Sequence, residues 1–596
     1  MQKLKGGVSM SRFFHYRQDR CFLCLSALSG CFLLFLSVVS VACHRTKGEP
    51  GATNHRRSER NVGFAVFGPT WPLGQVFANE TEQLTYLKEQ GYLVARHTAQ
   101  LHGNMVRVPI SVWDVLGQNL MLDPQWATQP VYQLDEAMVN KASARIQVSL
   151  EASLIAIEQG HDEAGRPLRW ALWDAFFSGI QKHNAEARAS QAFRGRSVDV
   201  DLVLVESPPA LVIEAPSDNV WKNFATHDPR KDLWNAYLQL HLHFIRKLVQ
   251  RYGKGYSRLD VSSLIPIVGA IELFNEPDYE WLPDEAKIEK ALNPDMYPCD
   301  KYITQLHLAQ VPENDLPGKG CVRRFGFYGD QALTVPEVKT SLSDFRWGLK
   351  FDKYVAMFAD LHEHVSFAAK DEIRQGGARM VVVSSAVTHV NIDWFARMFR
   401  ANPHTFQYID KIAIHPYHWP RHDIHDTHFV ASAPEKDWRL TNPREFARDY
   451  FKRFDFIRQL AALVTEPDQE KSYGLAGKAL WITEFGLPTK KLGKANAALR
   501  DYPKLFIYDQ ATPIPEGIQA IIWEDLWNAF FDQVSPEFLR ENHVETLLIY
   551  TLRETAMDHT HDDSHSNLAL FRSDWSCRLQ PEALSRLADL FLRFRE

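Results

Sequence analysis

Two glutamates stand out by the company they keep. Glu276 sits in Ile271-Glu272-Leu273-Phe274-Asn275-Glu276-Pro277, and Glu484 in Trp481-Ile482-Thr483-Glu484-Phe485-Gly486. Each follows an apolar, β-rich run, so each carboxyl is expected at a strand end, where burial perturbs protonation. Two such carboxyls can cleave a glycosidic bond. One gives a proton to the leaving oxygen, and the other stays ionised and attacks the anomeric carbon. An Asn-Glu-Pro tripeptide alone carries little weight, because a turn glutamate capping the next helix reads the same way. The second glutamate, at a matching strand end 208 residues later, is what gives the pair meaning.

Eight β-rich runs are expected to position them: Val62 to Phe67, Met105 to Pro109, Val198 to Val205, Ile267 to Phe274, Met380 to Ser384, Ile412 to His415, Ala479 to Glu484 and Val544 to Leu552. Each is followed by helical periodicity, which predicts a parallel α/β sheet, and eight units predict a (β/α)8 TIM barrel. Residues 518–534 carry apolar side chains at helical spacing between Pro515 and Pro536, so they read as the seventh helix rather than as a strand. Glu276 then ends strand four and Glu484 strand seven. Long irregular stretches are expected after strands two (112–168), three (206–231), four (278–348) and six (416–440). In a barrel those loops wall a cleft on the carboxyl-terminal face.

The chain has 596 residues, 45% hydrophobic, 12% aromatic and 23% charged, which excludes a disordered, collagenous or coiled-coil protein. Its net charge of -6 leaves no electrostatic footprint for nucleic acid. Lys3, Lys5, Arg12, Arg17 and Arg20 precede an uncharged run from Phe22 to Ala42. A basic segment before an apolar one reads as an export signal. Val39-Ser40-Val41-Ala42-Cys43 resembles a lipoprotein box, which would lipidate Cys43. Leu28-Ser29-Gly30-Cys31 also matches such a box, and the run is long enough to serve instead as an uncleaved anchor helix. Residues 1–43 are therefore expected to be a signal or anchor, 44–60 a polar linker and 61–596 the barrel. The barrel is expected outside the cytoplasm, tethered to a membrane. That compartment would allow a Cys299–Cys321 disulfide in the loop after strand four.

At the motifs, the chain resembles clan A glycoside hydrolases, which are (β/α)8 enzymes that retain anomeric configuration. Asn275-Glu276-Pro277 and Thr483-Glu484-Phe485-Gly486 look like their acid/base and nucleophile motifs. Asn104-Met105-Val106-Arg107-Val108-Pro109-Ile110-Ser111 resembles the second-strand motif of family 5, and Ile414-His415-Pro416-Tyr417 the sixth-strand motif. Ser566 to Phe571 and Gln580 to Leu584 are similar to the closing loop and final helix of family 39-like enzymes. The resemblance covers residues 61–596. It implies Glu276 as acid/base and Glu484 as nucleophile, with Asn275 on the sugar 2-hydroxyl. It implies that Arg107 and Tyr417 bond the nucleophile and keep it ionised, and that His415 lines the site. Strand eight reads Ile549-Tyr550-Thr551 where family 5 members usually place a Trp, and Tyr550 would take its place. Trp281 and Trp419, like Trp71 and Trp221, fall on loops where an indole could stack on a sugar.

The expected partner is a β-linked poly- or oligosaccharide, with no cofactor and no metal, and the protein is expected to be a monomer. Two rival readings remain. His418, His422, His425 and His428, with His559, His561 and His565 beside Asp558, Asp562 and Asp563, could make a metal-dependent hydrolase or deacetylase. A binding lipoprotein on an inactive barrel is the other, but binding alone would not require both carboxylates beside Arg107 and Asn275.

Overall fold

The computed structural model describes residues 60–69, 77–117, 136–190, 197–205, 229–258, 261–278, 346–388, 390–416, 429–432, 437–440, 451, 453–487, 526–553, 569–572, 575–577, 579 and 581–596. The leader, the linker up to residue 59, Cys43, Cys299 and Cys321 lie outside the described residues. So do Tyr417, the four loop tryptophans and both histidine groups. Among the described residues no helix is long and apolar enough to cross a membrane.

The eight expected strands all form: β1 (Asn61–Ala65), β2 (Met105–Ile110), β3 (Asp199–Leu204), β4 (Val268–Glu272), β5 (Val381–Val383), β6 (Lys411–His415), β7 (Ala479–Phe485) and β8 (Val544–Tyr550). Each pairs in parallel with its neighbours in sequence, and β8 returns to β1, so the sheet closes into a barrel. Helices alternate with the strands: α1 (Glu80–Gln100), α2 (Glu136–Gln159), α3 (Trp170–Ala189), α4 (Pro229–Tyr252), α5 (Arg346–Gly376), α6 (Ile392–Ala401), α7 (Arg453–Thr465) and, after β8, α8 (Pro581–Arg595). Residues 526–533 are helical, as the apolar spacing predicts. The stretch after β2 departs from the expected irregular loop, because α2 lies within it. The reason is legible in hindsight: Ile146, Leu150, Ser153 and Ile157 recur at helical spacing and are buried.

Side chains along a strand point alternately to its two faces. On β2, Val106, Val108 and Ile110 join the large apolar layer between strands and helices. Met105 belongs to a separate cluster with Ala270, Val383, Ala413, Trp481 and Leu548, which fills the barrel interior. Arg107 therefore points inward, one layer nearer the carboxyl-terminal mouth than Met105. By the same parity Asp201, Glu272 and His415 point inward on β3, β4 and β6.

Asn79 caps α1 by accepting the Glu82 N–H at 2.9 Å, and the Glu82 carboxylate accepts the Ala78 N–H at 2.7 Å. The helix then packs backbone to backbone on α3. A Cβ on Gly91 would lie 1.9 Å from the Phe176 carbonyl oxygen, and one on Gly179 would lie 2.0 Å from that of Lys88. Neither carbonyl belongs to a flexible side chain, so alanine at either position must push the helices apart. Gly91→Ala and Gly179→Ala are each expected to destabilise by roughly 3 kcal/mol, read as a lower denaturant midpoint. An unchanged midpoint would contradict this packing.

Candidate active site

The chain leaves β4 through a strained turn. Phe274 has φ 62° and Glu276 φ 39°, left-handed values that cost a non-glycine residue on the order of 1 kcal/mol or more. Neighbouring strands hold the turn in place. Leu273 N–H donates to the Val383 carbonyl at 3.1 Å, and Asn275 bridges to Ala386. The turn delivers the Glu276 carboxyl to His415, with Oε1 2.6 Å from Nδ1.

On β7 the pairing with β8 shifts register between Ile482 and Phe485. Trp481 faces the interior, while Ile482 and Phe485 both sit in the outer apolar layer. Thr483 and Glu484 are thus two successive residues aimed at the mouth, which a bulge permits and strict alternation would not. Glu484 Oε2 lies 3.1 Å from the same His415 Nδ1, and Thr483 Oγ1 lies 3.1 Å from His415 Nε2. One oxygen of each glutamate and a ring nitrogen of His415 all lie within 4.8 Å of one another. The glutamate side chains are 13% and 11% exposed, so each keeps some contact with solvent, whereas the His415 side chain is fully buried.

Arg107 stands beneath the pair. It was expected to bond Glu484 directly; instead its strongest contacts are to Glu272, with Nη2 to Oε1 at 2.6 Å and Nε to Oε2 at 3.1 Å. Nη2 also donates to Asn275 Oδ1 at 2.6 Å, which orients that amide. Glu484 is an ion-pair neighbour, 3.7 Å from Nη1. Burial works against the Arg107 charge, but Glu272 and Glu484 together outweigh it and hold the guanidinium still more firmly protonated. Asp201 is fully buried in the next strand, and burial followed by the Glu272 charge raises its carboxyl well above the carboxylate range.

Glu276 is pushed up to about 8, by burial first and then by the charge of Asp278. It thus carries a proton near neutrality, as an acid must. Asp278 is itself buried and accepts from Asn391 Nδ2 at 2.9 Å. Burial lowers His415 to about 4, against the pull of Glu484, so its imidazole is neutral. A guanidinium stands against these carboxylates, and the unlike settings of Glu276 and Glu484 suit acid–base chemistry.

Sequence reasoning placed Glu276, Glu484, Arg107, Asn275 and His415 in one site, and the structure brings all five together. Tyr550 packs edge-on against Phe67, with ring centroids 5.9 Å apart. Sequence reasoning missed Glu272, Asp201, Asp278 and Thr483. The available signal was polarity at inward positions of apolar strands: Asp201 within Val-Asp-Val-Asp-Leu-Val-Leu-Val and Glu272 four residues before Glu276.

No family model matches this sequence, and no curated protein matches it. Solved structures with a similar trace include a monomeric mutant of a hyperthermophilic beta-glucosidase, at 11% identity and TM-score 0.36, covering 89% of this chain and 99% of that one. The beta-glucosidase of Pyrococcus furiosus gives 11%, TM-score 0.35, 90% and 96%. A family 39 glycoside hydrolase from Bacteroides cellulosilyticus WH2 gives 11%, TM-score 0.34, 89% and 64%. Identities this low bear on neither substrate nor family.

Proposed function

We propose that this chain is a retaining glycoside hydrolase that cleaves a β-linked poly- or oligosaccharide by double displacement. The observation that carries the reading is the approach of the two glutamates, whose nearest oxygens lie within 4.8 Å. Retaining enzymes hold their carboxyls about 5–5.5 Å apart, and inverting enzymes hold them about 6.5–9.5 Å apart to admit a water. A Glu484 oxygen attacks the anomeric carbon while the Glu276 proton passes to the departing oxygen. A water then gives a proton to Glu276 and bonds the anomeric carbon, and Glu484 leaves as a carboxylate. Asn275, steered by Arg107, is the group we assign to the sugar 2-hydroxyl. The motifs around Glu276 and Glu484 support the same assignment. The basic leader, the apolar run from Phe22 to Ala42 and Cys43 support export and a membrane tether.

The test is stereochemical. NMR of the first sugar released from a β-glycoside should show the β anomer before mutarotation. The α anomer as first product would mean a single displacement and sink the proposal.

A further inference from the structure

Thr483 immediately precedes Glu484, is fully buried, and is absorbed by none of the chemistry above. Its hydroxyl lies 3.1 Å from His415 Nε2 and, among the described residues, has no other hydrogen-bond partner. A neutral imidazole has one N–H and one acceptor nitrogen. Nδ1 faces two carboxyl oxygens, Glu276 Oε1 at 2.6 Å and Glu484 Oε2 at 3.1 Å. If the proton sat on Nε2, the Thr483 hydroxyl would accept it and leave its own buried O–H unsatisfied. The Nδ1 lone pair could then accept from protonated Glu276 but would also face the Glu484 carboxylate at 3.1 Å. If the proton sits on Nδ1, Thr483 O–H donates to Nε2 and every group is served. Unsatisfied buried donors are costly, so the second arrangement wins.

We propose that Thr483 is a positioning residue that fixes His415 in the Nδ1–H tautomer, so that one N–H serves whichever glutamate is charged. This rests on the double-displacement reading above. Before attack the negative charge is on Glu484, whose Oε2 lies 3.1 Å from Nδ1 and within reach of its N–H. Once Glu484 is esterified it is neutral, and Glu276, having given its proton away, is the ion. The N–H is already within reach of it, so the same donor stabilises the carboxylate of each half-reaction without a change of tautomer.

The test uses the full-length protein labelled with 15N-histidine, with His415→Gln to assign the ring signals. Wild type should show His415 protonated at Nδ1. Thr483→Val removes the hydroxyl at nearly constant volume and should weaken the preference for Nδ1–H, seen as a ring signal averaged between the two tautomers. On an activated aryl β-glycoside, kcat and kcat/KM should both fall on the order of tenfold, since a hydrogen bond to a charged group is lost in each half-reaction. Thr483→Ser keeps the donor and should keep the tautomer and rates within about threefold. A merely structural role would lower stability without moving the tautomer. The proposal is overturned if wild-type His415 is protonated at Nε2, or if Thr483→Val folds and leaves tautomer and rates unchanged. If Glu484→Gln is fully active, the functional reading fails instead, and the wild-type tautomer still decides whether Thr483 holds the ring.

Discussion

Replacing Glu484 with glutamine is expected to cut turnover of every glycoside by on the order of 10⁴-fold or more, because no covalent intermediate can form. The amide is nearly isosteric, so the fold, Arg107 and His415 should stay in place and substrate affinity should persist. Intact-mass measurement gives an independent check. A slow 2-fluoro aryl β-glycoside should add one sugar to wild type, on the peptide holding Glu484, and none to Glu484→Gln. Similar rates for the two proteins would move the chemistry elsewhere. The histidine groups after β6 and β8 would then be the next place to look.

Glu276→Ala should behave differently, because the proposed mechanism gives the two carboxyls different tasks. On a natural polysaccharide, loss should be on the order of 10³-fold, the usual worth of a placed general acid. Activated aryl glycosides need no proton on the leaving group, so their first step should survive far better. Azide should then restore turnover by attacking the glycosyl-enzyme in place of activated water, yielding a β-glycosyl azide. The pH profile carries the sign. Glu276 acts as an acid only when protonated, so wild-type activity on the polysaccharide should fall as pH rises through about 8. That alkaline limb should vanish in Glu276→Ala on the aryl substrate. Equal losses on both substrates without azide rescue would overturn the assignment of tasks.

Most of the frame could be read from the chain. The eight strands are short apolar runs whose burial the residue types dictate, and helical spacing separated the 518–534 segment from a strand. The two glutamates were legible because each ends such a run. The links among the site residues were not. Whether Arg107 leans on Glu484 or on Glu272 depends on rotamers across three strands, which linear spacing does not encode. Thr483 looked like ordinary strand filler, and only the register shift beside it turns its hydroxyl toward His415. Asp278 follows a motif that draws attention to its neighbour, and its influence arises from burial beside Asn391.

The anchoring of Arg107 on Glu272 has a consequence for the energetics of the cycle. A guanidinium tied mainly to the nucleophile would lose its chief partner when Glu484 became an ester, and the surroundings would have to relax at each turnover. Here two hydrogen bonds to Glu272 and one to Asn275 do not depend on the state of Glu484. In the proposed double displacement the cation would therefore keep its orientation as the charge beside it disappears and returns. On that reading its field is laid down during folding rather than rebuilt at every passage over the barrier, so little reorganisation energy would be demanded of the chemical steps.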